Sequence, residues 1–343
     1  MGFFETLRHK AAADPRVVVL PELGIDQDGV IREAIDRARA EGTAIPIGLT
    51  PEVVERSGLR NAFVKALAER KSYGEEAGEL SGLGRGIRIA ERVVRRLPTE
   101  LFFACMMVEQ GYAHGVVAGR YLTSADVAMT AKLTIGEQEG QIVSSMFFRQ
   151  PPESYGLFDL IANADMVANQ NPTADELCRI VVTSAMSFEA FTGREPRIAV
   201  LSYVTGTPQP VQMAKDPELK KIEAALALYR RAGHKWMMFP SQFDAAIDPG
   251  VAAKKGAPFT DRPADILVSP NLMQANPIYK ALERLIPGGE SMFITQGFRH
   301  PVMDLSRGDS AANIANVIAA CSLQARMVEA QRGRRAIDTL FLG

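Results

Sequence analysis

The opening of the chain constrains its fold most. Arg16–Pro21 reads RVVVLP, a β-branched run closed by proline, the pattern of a short buried strand. Asp28–Gly42 follows with Val30, Ile31, Ala34, Ile35 and Ala38 on one helical face and Gly42 past its end. Ala44–Leu49 is a second apolar run. Strand, helix and strand in that order argue for a β-α-β crossover, and hence for a parallel sheet covered by helices. The alternation continues, with strands predicted at Gly115–Ala118, Gln141–Phe148, Arg197–Tyr203, Trp236–Phe239, Asp265–Val268 and Ser291–Thr295. Helices are predicted over Thr99–Gly111, between the N-cap Asp216 and Gly233, over Pro277–Leu285, and from about Ser310 to Glu329. Ser72–Gly86, rich in glycine and charge, reads as a loop, and Arg85, Arg88, Arg92 and Arg95 then fall on one helical stripe. The fold class is α/β. At 343 residues the chain is too long for one core, so two domains are expected.

Composition narrows the partners. A net charge of −1 gives no general attraction to nucleic acid or to an anionic membrane, so an anionic ligand has to be caught by local arginines. Cys105, Cys178 and Cys321 lie far apart and form no C-x-x-C, which suggests neither a zinc site nor a disulfide framework; they read as small buried hydrophobes. No metal site is expected. The first residues lack the apolar centre of a signal peptide and no apolar run reaches membrane-spanning length, so the cytoplasm is the expected location. Gly82, Gly84 and Gly86 imitate part of a dinucleotide fingerprint but follow no predicted strand.

Six stretches carry a more specific signal. They are GYAHGVVAG at Gly111–Gly119 with TSAD at Thr123–Asp126, NQNPTADEL at Asn169–Leu177, LSY at Leu201–Tyr203 with Thr205-Gly206-Thr207, QFDAAIDPGVAA at Gln242–Ala253, NPIYK at Asn276–Lys280, and QGFRHPVMDLSRG at Gln296–Gly308. Together, and in this order, they resemble the phosphotransacetylase family of phosphate acetyl/butyryltransferases. The resemblance implies two three-layer α/β domains with a cleft between them, like isocitrate and isopropylmalate dehydrogenases. The first domain would be discontinuous, residues 1–141 with 301–343, and the second would be the inserted 142–300. It also implies transfer of a short acyl group between coenzyme A and phosphate, in the cytoplasm, by a homodimer. Coenzyme A or acyl-CoA would be a substrate, with no permanently bound cofactor.

The chemistry needs an oxyanion donor, guanidinium forks for phosphate and a base for the thiol. By resemblance Ser306 would donate to the oxyanion and Arg307 would hold phosphate; a helix cap beside a solvated arginine is the competing reading. The family's general-base aspartate falls at Asn313, which cannot accept a proton. Family arginines fall at Met129 and Ser81, and the asparagine expected just before Asp304 is Met303. Asp309 is the candidate substitute base: with both residues in one helix it would share a face with Asn313; complementing the dipole in the helix's first turn is its competing role. Arg120, where the family usually has alanine, is a candidate substitute for phosphate binding, and Thr205, Gly206 and Thr207 for binding it through backbone N–H groups. Tyr279, in the NPIYK stretch, is a further candidate substrate contact, with packing as its competing role. His114 stands where the family has an aspartate, and reads as packed or superficial. These departures keep two alternatives open, an acyl-CoA-binding regulator and an acyl-CoA hydrolase.

Overall fold

The computed structural model describes residues 2–70, 79–286 and 288–341, with side chains except at 79–84 and 330–341. The chain divides into two compact units, Leu7–Glu137 with Phe298–Gly343, and Met1–Thr6 with Gln138–Gly297. The first residues go with the inserted segment because Phe3 stacks on Phe148 at 5.4 Å and the Phe4 N–H donates to Gln150 Oε1 at 3.2 Å. The strands are β1 (Val17–Leu20), β2 (Ile45–Gly48), β3 (Gly115–Ala118), β4 (Ser144–Gln150), β5 (Ile161–Ala164), β6 (Arg197–Leu201), β7 (Met237–Ser241), β8 (Ile266–Val268), β9 (Glu290–Gln296) and β10 (Val302–Asp304).

The discontinuous unit holds a parallel sheet in the order β10-β3-β1-β2, with Val18 opposite both Pro46 and Gly115, and Met303 opposite Val117. The chain leaves β1 outward to β2 through the helix Val30–Ala40, then returns across β1 to β3. Right-handed crossovers in opposite directions put the intervening helices on opposite faces. They also make the carboxyl ends of β1 and β3 a topological switch point, the place where open α/β sheets take their ligands. Helix Ala311–Phe341 packs on helix Val30–Ala40 and on β1, β3 and β10. Its Cys321 lies so close to Gly115 that β3 has no room there for a side chain. Helix Thr99–Glu109 is buried along most of its length against β3 and helix Ser124–Thr134.

The other unit holds a mixed sheet in the order β7-β6-β8-β5-β4-β9. β5, β8, β6 and β7 are parallel, and β4 runs antiparallel to both β5 and β9. The α/β class is thus as read from the sequence.

Several elements differ from expectation. Glu79–Val94 is one helix, so the glycines from Gly82 to Gly86 do not make a loop, and residues 71–78 lie outside the described residues. Arg85, Arg88 and Arg92 on that helix, and Arg95 just beyond it, are exposed. Helix Leu272–Leu285 starts well before Pro277 and carries that proline inside; Asn271 caps it by accepting the Gln274 N–H at 3.1 Å. Ala174–Thr192 is a helix held by a capping box of Thr173 and Glu176. No helix among the described residues is long and apolar enough to cross a membrane.

Candidate active site

The site grows from the carboxyl ends of β1, β3 and β10. Glu22 follows β1 and is almost wholly buried. Its Oε2 accepts the backbone N–H groups of Gly119 at 3.0 Å and Arg120 at 3.1 Å, and its Oε1 those of Tyr121 at 2.9 Å and Leu122 at 2.6 Å. Four successive amides converging on one anion are what a backbone nest offers to phosphate. Here the chain supplies the anion itself. Gly119 enables the turn with a φ of +108°, and a Cβ there would run into Asp304 Oδ1 and lie 2.7 Å from the Leu305 nitrogen.

Arg120 leaves that loop as a strut. Its Nη1 donates to the carbonyls of Arg307 at 2.8 Å and Asp309 at 2.9 Å, and its Nη2 to Asp28 Oδ2 at 2.6 Å. The Tyr121 hydroxyl donates to Asp28 Oδ1 at 2.8 Å. That bond, and then Arg120's, hold the Asp28 carboxyl down at about 2. Arg120 therefore does not stand as the phosphate fork expected of it: Nη1 and Nη2 are engaged within the protein.

Beyond β10 the chain closes a tight turn. The Ser306 N–H donates to Asp309 Oδ2 at 2.8 Å, and the Asp309 N–H to the Ser306 carbonyl at 3.0 Å. The helix begins only at Ala311, with the Asn313 N–H on Ser310 Oγ at 3.2 Å. Asp309 thus precedes the helix instead of lying one turn below Asn313 on its face, and its carboxylate is buried and bonded to Ser306. Ser306 and Arg307 likewise stand ahead of the helix rather than in its first turn. Arg307 is exposed, and its guanidinium has no hydrogen bond or ion pair among the described residues.

Asp304, at the end of β10, was missed by sequence reasoning. It is 8% exposed, its Oδ1 has no hydrogen-bond partner among the described residues, and burial chiefly pushes its carboxyl up to about 7. The charges of Glu22 and Asp309 push the same way, against a hydrogen bond from Ser124. Glu22, Asp28 and Tyr121 were missed as well. A glutamate just past a buried strand is the one hint the chain offered, and its partners lie about a hundred residues on.

The remaining candidates lie in the other unit. Thr205 Oγ1 accepts the Gln242 N–H at 3.2 Å, and the Gly206 N–H donates to the Pro240 carbonyl at 2.9 Å. The turn is therefore stapled to β7, and Gly206's amide is not free for phosphate, while Thr207 is exposed. Tyr279 is a core residue, edge-on to Phe147 at 4.7 Å, with its hydroxyl accepting from Lys280 Nζ at 3.1 Å. Met129 is 51% exposed on helix Ser124–Thr134, and the Ser81 side chain lies outside the described residues. His114 is half-buried and its Nδ1 accepts the Val17 N–H at 3.2 Å, a packing role. All three cysteines are free and buried; burial pushes the Cys105 thiol up to about 12 and raises those of Cys178 and Cys321, which makes poor nucleophiles of them. Among the described residues no cluster of His, Cys, Asp and Glu could hold a metal ion.

Residues 2–321 match the phosphate acetyl/butaryl transferase family. The chain belongs to this family. It is 31% identical to the phosphate acetyltransferase of Acetivibrio thermocellus over 96% of this chain and 100% of that one. The phosphate acetyltransferase of Clostridium acetobutylicum is 31% identical over 97% and 100% of the two chains. Among solved structures, a phosphotransacetylase from Streptococcus pyogenes superposes with a TM-score of 0.74 and 26% identity, covering 95% of this chain and 98% of that one.

Proposed function

We propose that this chain moves an acetyl or other short acyl group between coenzyme A and phosphate. One observation carries the reading: in a chain matched end to end by phosphate acetyltransferases, Arg307 stands exposed and uncommitted beside Ser306, at the carboxyl ends of parallel strands. Open α/β sheets take ligands at such ends. A guanidinium fork suits a phosphate.

In the forward direction a phosphate oxygen attacks the thioester carbonyl carbon. The carbonyl oxygen gathers charge, and collapse of the tetrahedral intermediate breaks the carbon–sulfur bond to give acyl phosphate and the thiolate of coenzyme A. The Ser306 N–H donates to Asp309, and the oxyanion donor that the family resemblance implies is the Ser306 hydroxyl. Arg307 holds the incoming phosphate. Dianionic phosphate needs no base to attack, and the departing thiolate takes its proton from water. The reverse reaction starts from an alkyl thiol, mostly protonated at neutral pH, and the thiolate is the nucleophile. With Asn313 unable to take that proton and Asp309 buried on Ser306, the reverse rate should climb with pH as the thiolate fraction grows. Cytoplasmic location and a homodimer belong to the same proposal. The apolar run Leu340-Phe341-Leu342 would call for such a docking surface, and its side chains lie outside the described residues.

Asn313 favours a second reading, an acyl-CoA-binding or hydrolysing relative. Release of thiol from acetyl-CoA with and without phosphate separates the readings. Phosphate-dependent release supports transfer, phosphate-independent release means hydrolysis, and binding without release means a sensor.

A further inference from the structure

The carboxylate of Glu22 sits where a ligand would be expected. It lies at the β1/β3 switch point and takes four consecutive backbone N–H groups at 2.6–3.1 Å. One of those amides belongs to Arg120, whose side chain then reaches the carbonyls of Arg307 and Asp309, and the Asp309 carboxylate in turn holds the Ser306 N–H. The hydrogen bonds therefore run without a break from Glu22 to the segment that carries the proposed chemistry. A neutral isostere cannot reproduce the first link. The amide of glutamine would turn an NH2 toward two of the N–H donors.

We propose that Glu22 is a positioning residue for Ser306 and Arg307: a built-in anion that fills the backbone anion site at the switch point, a site that a free small carboxylate fills when Glu22 is truncated. Two consequences follow. The nest is closed to substrate phosphate, which leaves Arg307, in the turn after β10, as the proposed phosphate contact. Truncation also empties a site whose natural occupant is a carboxylate group, so formate matches it in charge and geometry and chloride does not. The part concerning Ser306 and Arg307 rests on the acyl-transfer reading; the anion site does not.

The test uses the full chain with Glu22→Ala and Glu22→Gln, formate as probe, and chloride at equal ionic strength as control. Thermal melting of Glu22→Ala is expected to rise saturably with formate and not with chloride, while wild type and Glu22→Gln do not respond. Transfer activity of Glu22→Ala is expected to fall by about a hundredfold, the scale of a misplaced reacting group, and to recover tenfold or more with formate. Glu22→Gln should stay low in formate because the amide blocks the site. If Glu22→Ala does not fold unaided, its refolding yield in formate against chloride gives the same answer. Equal responses to formate and chloride, or wild-type phosphate KM and kcat in Glu22→Gln, would overturn the proposal. A wild type without transfer activity would remove the acyl-transfer reading and leave the melting and refolding arms to decide on the anion site.

Discussion

Arg120→Met tests whether the strut holds the Ser306–Arg307 turn in place. Methionine keeps much of the apolar stem and removes the guanidinium, which bridges two carbonyls of that turn and Asp28. Hydrogen bonds from a charged donor are worth roughly 1.5–3 kcal/mol when buried. The Arg307 carbonyl is exposed and the Asp309 carbonyl partly buried, so the low end applies and the two together come to about 2–3 kcal/mol. The pair with Asp28 adds no figure, because that carboxylate is in water. For a unit of this size about 1 kcal/mol moves the melting temperature by ~2–4 °C, which puts the loss at roughly 5–10 °C. Calorimetry gives that number, and steady-state kinetics gives its functional counterpart, a phosphate KM raised about tenfold or more as Arg307 loses its position. Arg120→Lys should recover part of the melting temperature and little of the KM, since one ammonium cannot reproduce the planar fork. An Arg120→Met protein that melts within about a degree of wild type, with unchanged phosphate KM, would refute the reasoning.

Gly119→Ala should destabilise through both backbone strain and overpacking against Asp304 and Leu305, roughly 1–3 kcal/mol from each; a denaturant midpoint equal to wild type would contradict this. Asp304 carries its raised carboxyl, at about 7, only in the folded chain, against ~3.9 unfolded. Its contribution is therefore full below about pH 4 and lost as pH rises through about 7. Asp304→Asn should remove that slope and be at least as stable as wild type at pH 8, by urea unfolding at pH 5 and 8; an unchanged slope would show that Asp304 is not titrating. Asp309→Ala strips the acceptor from the Ser306 N–H and should cost about 1–3 kcal/mol together with transfer activity. Stability lost with kinetics intact would show that the turn does not position Ser306.

The α/β alternation was legible because buried strands and amphipathic helices leave different periods in the chain. β5 and β10 were not, being four and three residues long with little β-branched content. The helix Glu79–Val94 hid behind its glycines, and Leu272–Leu285 behind Pro277, which local rules read as a boundary. The family stretch located Ser306 and Arg307 but could not show that Arg120 spends its guanidinium inside the protein. It could not show that Asp309 precedes its helix. Those facts depend on which carbonyls lie within three ångströms after folding. Glu22 is the extreme case, since its partners come from the far side of two crossovers.

The central claim is that this chain makes and breaks acyl phosphate at Ser306 and Arg307. Phosphorus NMR of acetyl-CoA and phosphate incubated with the protein tests it most directly, with Arg307→Lys alongside. An acetyl phosphate resonance should grow in with wild type, and at limiting phosphate more than tenfold slower with Arg307→Lys, a loss on the order of 1.4 kcal/mol or more. No acetyl phosphate from wild type, or equal rates from both proteins at limiting phosphate, would contradict the account.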